Sequence, residues 1–128
     1  MEGSEMTPDE LAEILLDFAV KIVNVTDKLS RIFIGRHIGG QLFRSATSAD
    51  ANYGEARAAE SRSDFIHKLS VVLKELNETN YWLLLIKKSE LLPTVEIEPL
   101  VSESTSLSNI IGKSLITARK KGHPKDAQ

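Results

Sequence analysis

Three histidines and a group of carboxylates are the residues with types and spacing suited to chemistry: His37, His67 and His123, with Glu55, Glu75 and Glu78 at helical intervals. Asp64 and His67 stand three apart, which on a helix makes half of the carboxylate–histidine arrangement of di-metal bundle sites. Such sites repeat the pair on a second helix and add further glutamates. Here there is one pairing, with aspartate, and no second histidine on a core-forming stretch, so no metal centre is expected. Gly35, Gly39 and Gly40 lack the lysine-serine or lysine-threonine ending and the preceding strand of a phosphate loop. No Gly-x-Ser-x-Gly elbow occurs. The absence of cysteine removes disulfides, thiolate nucleophiles and thiolate zinc sites, and it fits a reducing cytoplasm. Glu55, Glu75 and Glu78 can approach each other across two helices, with Arg44, Arg62 or Lys68 on hand to neutralise them. Their spacing marks no acid–base pair. No catalytic residue, cofactor or small-molecule substrate is expected, and the chain reads as a non-enzyme.

The elements that carry these residues are helices. Thr7-Pro8-Asp9-Glu10 is a helix start: Thr7 caps, Pro8 suits the first helical position, and Glu10 completes a capping box. Leu11, Leu15, Phe18, Ile22, Val25 and Leu29 follow at spacings of four and three, one stripe of a helix over about 8–30. Arg31 to Gly40 contains three glycines and reads as a connection, with a second helix over about 37–60, rich in alanine. Ser61 or Ser63 caps a third helix over about 64–89, with Asp64 favourable in its first turn. Phe65, Leu69, Val72, Leu76, Leu83 and Ile86 are its core stripe, widened by Ile66, Leu73 and Leu84. Pro93 ends that segment, a loop runs to about Val95, and a fourth helix over about 96–120 buries Leu100, Leu107, Ile111 and Leu115. Residues 1–6 read as a leader, and 121–128 as a polar tail after a stop at Gly122 and Pro124. The expected fold is all-α: one domain, an antiparallel up-and-down four-helix bundle.

At 128 residues the chain is long enough for one core, and 41% apolar with 27% charged residues separates it from disordered sequences. No apolar run reaches the roughly 18 residues of a membrane span. The first twenty positions hold Glu2, Glu5, Asp9, Glu10, Glu13 and Asp17 and no base, the opposite of a targeting segment, so a cytoplasmic location is expected. The formal net charge of −2 argues against a dedicated nucleic-acid binder. The far end differs: Lys113, Arg119, Lys120 and Lys121 form a basic run. It suits the C-terminal dipole of a helix, or it is a set of phosphate contacts for RNA or DNA.

Two helices carry a second face that a single copy does not explain. On the second helix Leu42, Ala46, Ala49, Tyr53 and Ala56 make the apolar stripe, while Gln41, Ser45, Ser48, Asn52 and Glu55 keep the same rhythm beside it. The polar stripe is either solvated or a hydrogen-bonded seam against another helix. Behind the core stripe of the third helix lie Lys68, Val71, Glu75, Glu78 and Trp82. A tryptophan and a valine among charges point to an interface, or to a ring packed on the loop before the fourth helix.

The ordered run Gly35-Arg36-His37-Ile38, Gln41-Leu42, Arg44-Ser45-Ala46-Thr47-Ser48 and Ala51-Asn52-Tyr53-Gly54-Glu55-Ala56 resembles a family. So do Ser61-Arg62, Asp64-Phe65-Ile66-His67-Lys68, Leu73-Lys74-Glu75-Leu76, Glu78-Thr79 and Trp82-Leu83. The family is the bacterial four-helix-bundle proteins encoded within intervening sequences of large-subunit ribosomal RNA genes. Ala49-Asp50 departs from the small pair expected there. The resemblance implies a bundle that assembles into a ring, typically a homopentamer, with no known catalytic activity. A retroelement accessory protein is similar in fold and binds nucleic acid as a basic pentameric barrel; the acidic balance here counts against that use. A ring needs two different patches on each copy, and the second faces of helices two and three are the candidates.

Overall fold

The computed structural model describes residues 6–121. Residues 1–5 of the expected leader, and the tail beyond Lys121 with Gly122, His123 and Pro124, lie outside the described residues. Helix α1 spans Pro8–Leu29, and its capping box is formed as expected. The Glu10 amide donates to Thr7 Oγ1 at 3.1 Å, and the Thr7 amide donates to Glu10 Oε1 at 2.8 Å. All six residues of its core stripe are buried.

Helix α2 spans Phe33–Arg57, starting four residues before the expected position and ending three before it. The glycine-rich stretch is therefore helix, and only Ser30, Arg31 and Ile32 connect it to α1. Close approach is the reason. A Cβ on Gly35 would collide with the Leu29 carbonyl oxygen and lie 3.0 Å from the Ile32 Cβ, and one on Gly39 would sit 3.3 Å from the Leu29 Cβ. Glycine is used here to let α2 turn against the end of α1, not to unwind a helix.

Helix α3 spans Arg62–Lys88 and is capped by Ser61, whose Oγ accepts from the Asp64 amide at 3.0 Å. Leu69, Val72, Leu76, Leu83 and Ile86 are buried as expected, while Phe65 is half-buried at the edge of the core. Helix α4 spans Thr94–Lys121, so the loop before it ends at Pro93, whose carbonyl accepts from the Glu96 amide at 2.9 Å. Leu100, Leu107, Ile111 and Leu115 are buried, joined by Ile97. Each fully buried side chain of this size contributes about 1.5–3 kcal/mol.

Cross-helix bonds give the register. Partner numbers fall on one helix as they rise on the next: Asp9 with Arg57 and Thr26 with Gly39 between α1 and α2, Glu55 with Lys68 and Ser45 with Thr79 between α2 and α3. The same holds for Asn80 with Ser104 and Lys87 with Glu98 between α3 and α4, and for Lys21 with Glu103 and Lys28 with Glu96 between α1 and α4. Four helices thus enclose one core, and among the described residues all regular structure is α-helical. No helix of the described residues is long and apolar enough to cross a membrane.

Candidate functional site: a polar seam and two outward faces

The polar stripe of α2 has an occupant, and it is α3 of the same chain. Ser45 is fully buried. Its hydroxyl donates to the Leu42 carbonyl at 3.1 Å, and Thr79 Oγ1 lies 2.8 Å from it. The Glu75 carbonyl is also 2.8 Å from Thr79 Oγ1, so the one threonine proton has two acceptors to choose from. Thr79 occupies the gap in the α3 apolar stripe between Leu76 and Leu83, where it too is fully buried. Sequence periodicity marked Ser45 and passed over Thr79. A threonine at a core position of the four-three rhythm was the available signal.

One turn along, the seam becomes charged. Ser48 Oγ donates to Glu75 Oε2 at 3.2 Å, and Arg44 Nη1 reaches the same oxygen at 3.4 Å. Arg44 also pairs with Glu78, whose other oxygen accepts from the Trp82 indole at 3.0 Å. The Arg44 guanidinium and then the Trp82 N–H hold the Glu78 carboxyl below the ordinary glutamate range. Reciprocally, Glu78 and then Glu75 raise Arg44. Glu75 Oε1 is buried without a hydrogen bond: Arg44 Nη2 lies 3.3 Å away, close enough to attract but poorly aligned. Asn52 turns back on its own helix, donating to the Ser48 carbonyl at 2.9 Å and to Ser48 Oγ at 3.2 Å. Glu55 takes Lys68 at 2.7 Å. Gln41, Val71 and Trp82 are half-buried along the seam's outer edge.

These carboxylates are paired with cations: Glu75 and Glu78 with Arg44, and Glu55 with Lys68. His67 and Asp64 are both exposed on α3, and His37 is exposed on α2. Among the described residues no group of three or more histidines and carboxylates is placed to hold a metal ion. A shallow cleft at the α2–α3 corner is lined by Glu55, Glu60, Ser61, Asp64 and Lys68. Lys113, Arg119, Lys120 and Lys121 are exposed on the last turns of α4. The register that joins Lys21 to Glu103 brings that end of α4 alongside the acidic start of α1, with Asp9, Glu10 and Glu13.

Sequence reading missed a different surface. Leu16, Val20 and Val23 line the outer side of α1, and they are 51, 53 and 45% exposed. The α1–α2 register sets Phe43, also exposed, level with Val23, and half-buried Asp50 level with Leu16. Burial raises the Asp50 carboxyl above its ordinary range. On α3, Tyr81 is 56% exposed and packs edge-to-face on Trp82, their rings 4.9 Å apart. The signal on α1 was present in the sequence as a second four-three spacing, hidden beside the stronger core stripe.

The chain is similar to a protein of unknown function from the S23 ribosomal protein family of Bacteroides thetaiotaomicron, known from a crystal structure. The two are 37% identical with a TM-score of 0.78, over 82% of this chain and 97% of that one. No curated protein is significantly similar. The family model described as 23S rRNA-intervening sequence protein matches residues 11–113, nearly the whole helical body. The chain belongs to the 23S rRNA-intervening sequence protein family.

Proposed function

We propose that this chain is a non-enzymatic scaffold, an antiparallel up-and-down four-helix bundle that works by assembling with copies of itself into a ring. The falling and rising partner numbers along each of the four neighbouring helix pairs support the antiparallel arrangement. The observation that carries self-association is the apolar strip on the outside of α1 and α2, where Leu16, Val20, Val23 and Phe43 stand in solvent in one copy. Contiguous apolar patches on soluble proteins mark interaction surfaces. A five-membered ring is what the resemblance to the family implies. Intrachain partners of Ser45, Ser48, Asn52, Glu55 and Glu75 favour an interface outside the α2–α3 seam. Gln41, Val71, Glu78 and Trp82, at its outer edge, remain within reach of a neighbour.

The test is absolute mass by light scattering at low and high salt. A mass near five chains that persists in salt supports the reading. A monomer at high concentration removes it.

A second reading has its own observation: the exposed bases Lys113, Arg119, Lys120 and Lys121 on one end of α4. Repeated around a ring they would make a basic collar for RNA or DNA, with affinity falling steeply as salt rises. The adjacent acids of α1 weaken that field. Substituting Lys120 and Lys121 by glutamine separates the readings: nucleic-acid binding lost with the ring intact supports the second, and no binding at low salt removes it.

A further inference from the structure

Two outward stripes on opposite helices match each other in length, apolarity and charge. On α1, Glu13, Val20 and Asp27 stand seven apart, which on a helix puts them on one face; Leu16 and Val23 flank Val20 on that face. On α3, Lys74, Tyr81 and Lys88 also stand seven apart, with half-buried Leu85 and Trp82 beside Tyr81. All six are exposed. Each stripe therefore has an apolar centre closed at both ends by charge, acids on α1 and lysines on α3. In each, the charges are fourteen residues apart, about 21 Å along a helix. Because each stripe is symmetric about its centre, acid meets lysine at both ends whichever way the helices run.

We infer that the α1 stripe of one copy docks on the α3 stripe of the next, Val20 against Tyr81, with Glu13 and Asp27 facing Lys74 and Lys88. This rests on the self-assembly reading above and supplies its two patches. The patches differ, so the contact is heterologous, as a ring beyond a dimer requires. The aromatic pair supplies the area and the low entropy cost that interface anchors have. The charges set the register and penalise stripes of like sign meeting, α1 on α1 or α3 on α3. Asp27 already touches Arg31 at 3.4 Å, but that pair is highly exposed and does little to hold it.

The chain has no cysteine, so thiols can be placed one at a time. The experiment compares Val20→Cys, Tyr81→Cys and the double variant under a short thiol cross-linker, with mass and thermal melting recorded alongside. The double variant should give a ladder of cross-linked multimers and each single variant none. A companion set reverses charge: Lys74→Glu with Lys88→Glu should weaken assembly about tenfold or more, and adding Glu13→Lys with Asp27→Lys should restore it. A cross-linked dimer from Val20→Cys alone would mean an isologous contact and overturn the pairing. An oligomer of unchanged mass with no cross-link and no charge effect would also overturn it, while leaving self-assembly standing. A wild-type monomer would end both.

Discussion

The α2–α3 seam and the outer side of α1 invert what side-chain chemistry leads one to expect. In the seam, serine, threonine and glutamate are drawn inward and bonded to one another or to the half-exposed Arg44. On α1, leucine and valines are left in water. Most of the seam's buried polar groups find a hydrogen-bond partner, along their own helix or across the close pair, and Glu75 Oε1, which lacks one, lies 3.3 Å from the Arg44 guanidinium. Among the described residues the strip has no such partner. Polarity alone therefore does not sort inside from outside; satisfaction of each group does.

Four substitutions test that contrast, and in each the melting temperature and the solution mass are read together. The largest effect is expected at Gly35, in the corner that fixes how α2 lies on α1. Gly35→Ala forces a Cβ into the Leu29 carbonyl and should cost about 2–3 kcal/mol, seen as a clearly lower melting temperature. A melt within error of wild type would mean the corner yields easily. Arg44→Met comes next. It strands buried Glu75 and half-buried Glu78, and about 2 kcal/mol should be lost, discounted from a fully buried pair because Arg44 is half-exposed. If the seam belongs to the single copy, mass at a given temperature stays the same; dissociation without loss of helix stability would move the seam into the interface.

Thr79→Val removes the hydroxyl that reaches Ser45 and should cost about 1 kcal/mol by chemical denaturation, with no change in mass. Asp50→Asn is the smallest and has the opposite sign. Its carboxyl is raised by burial, so the charged form is disfavoured in the fold, and the amide should stabilise by about 0.5 kcal/mol at neutral pH. The sign follows from linkage: a raised carboxyl strengthens the fold as pH drops and it takes up its proton. Glu78 works the other way. Its lowered carboxyl contributes stability above the ordinary glutamate range, and that contribution is lost as pH falls through its folded value. Wild type minus Asp50→Asn should therefore shrink on acidification, and a difference that stays constant from neutral to acid would rule out the burial effect.

Much of the fold was legible because periodicity and capping are local. The stripe from Leu11 to Leu29 and the Thr7 box needed only spacing and hydrogen-bonding chemistry, while the α3 cap was left between Ser61 and Ser63 until the structure chose Ser61. The start of α2 was misread for an equally physical reason: glycines signal a turn unless another chain segment presses on them, and the Leu29 carbonyl does. Thr79 was passed over as a polar residue although it sits at a core position of the rhythm; its partner Ser45 is visible only in the structure.

By itself the sequence determined four helices, the apolar stripe on each, and the family through its ordered motif. The tertiary structure decided which face meets which. A helical repeat fixes the angle at which a residue points and is silent on what stands there. Only packing revealed that the polar stripe of α2 is filled by α3, and that the stripe through Leu16, Val20 and Val23 is left about half exposed by the described residues.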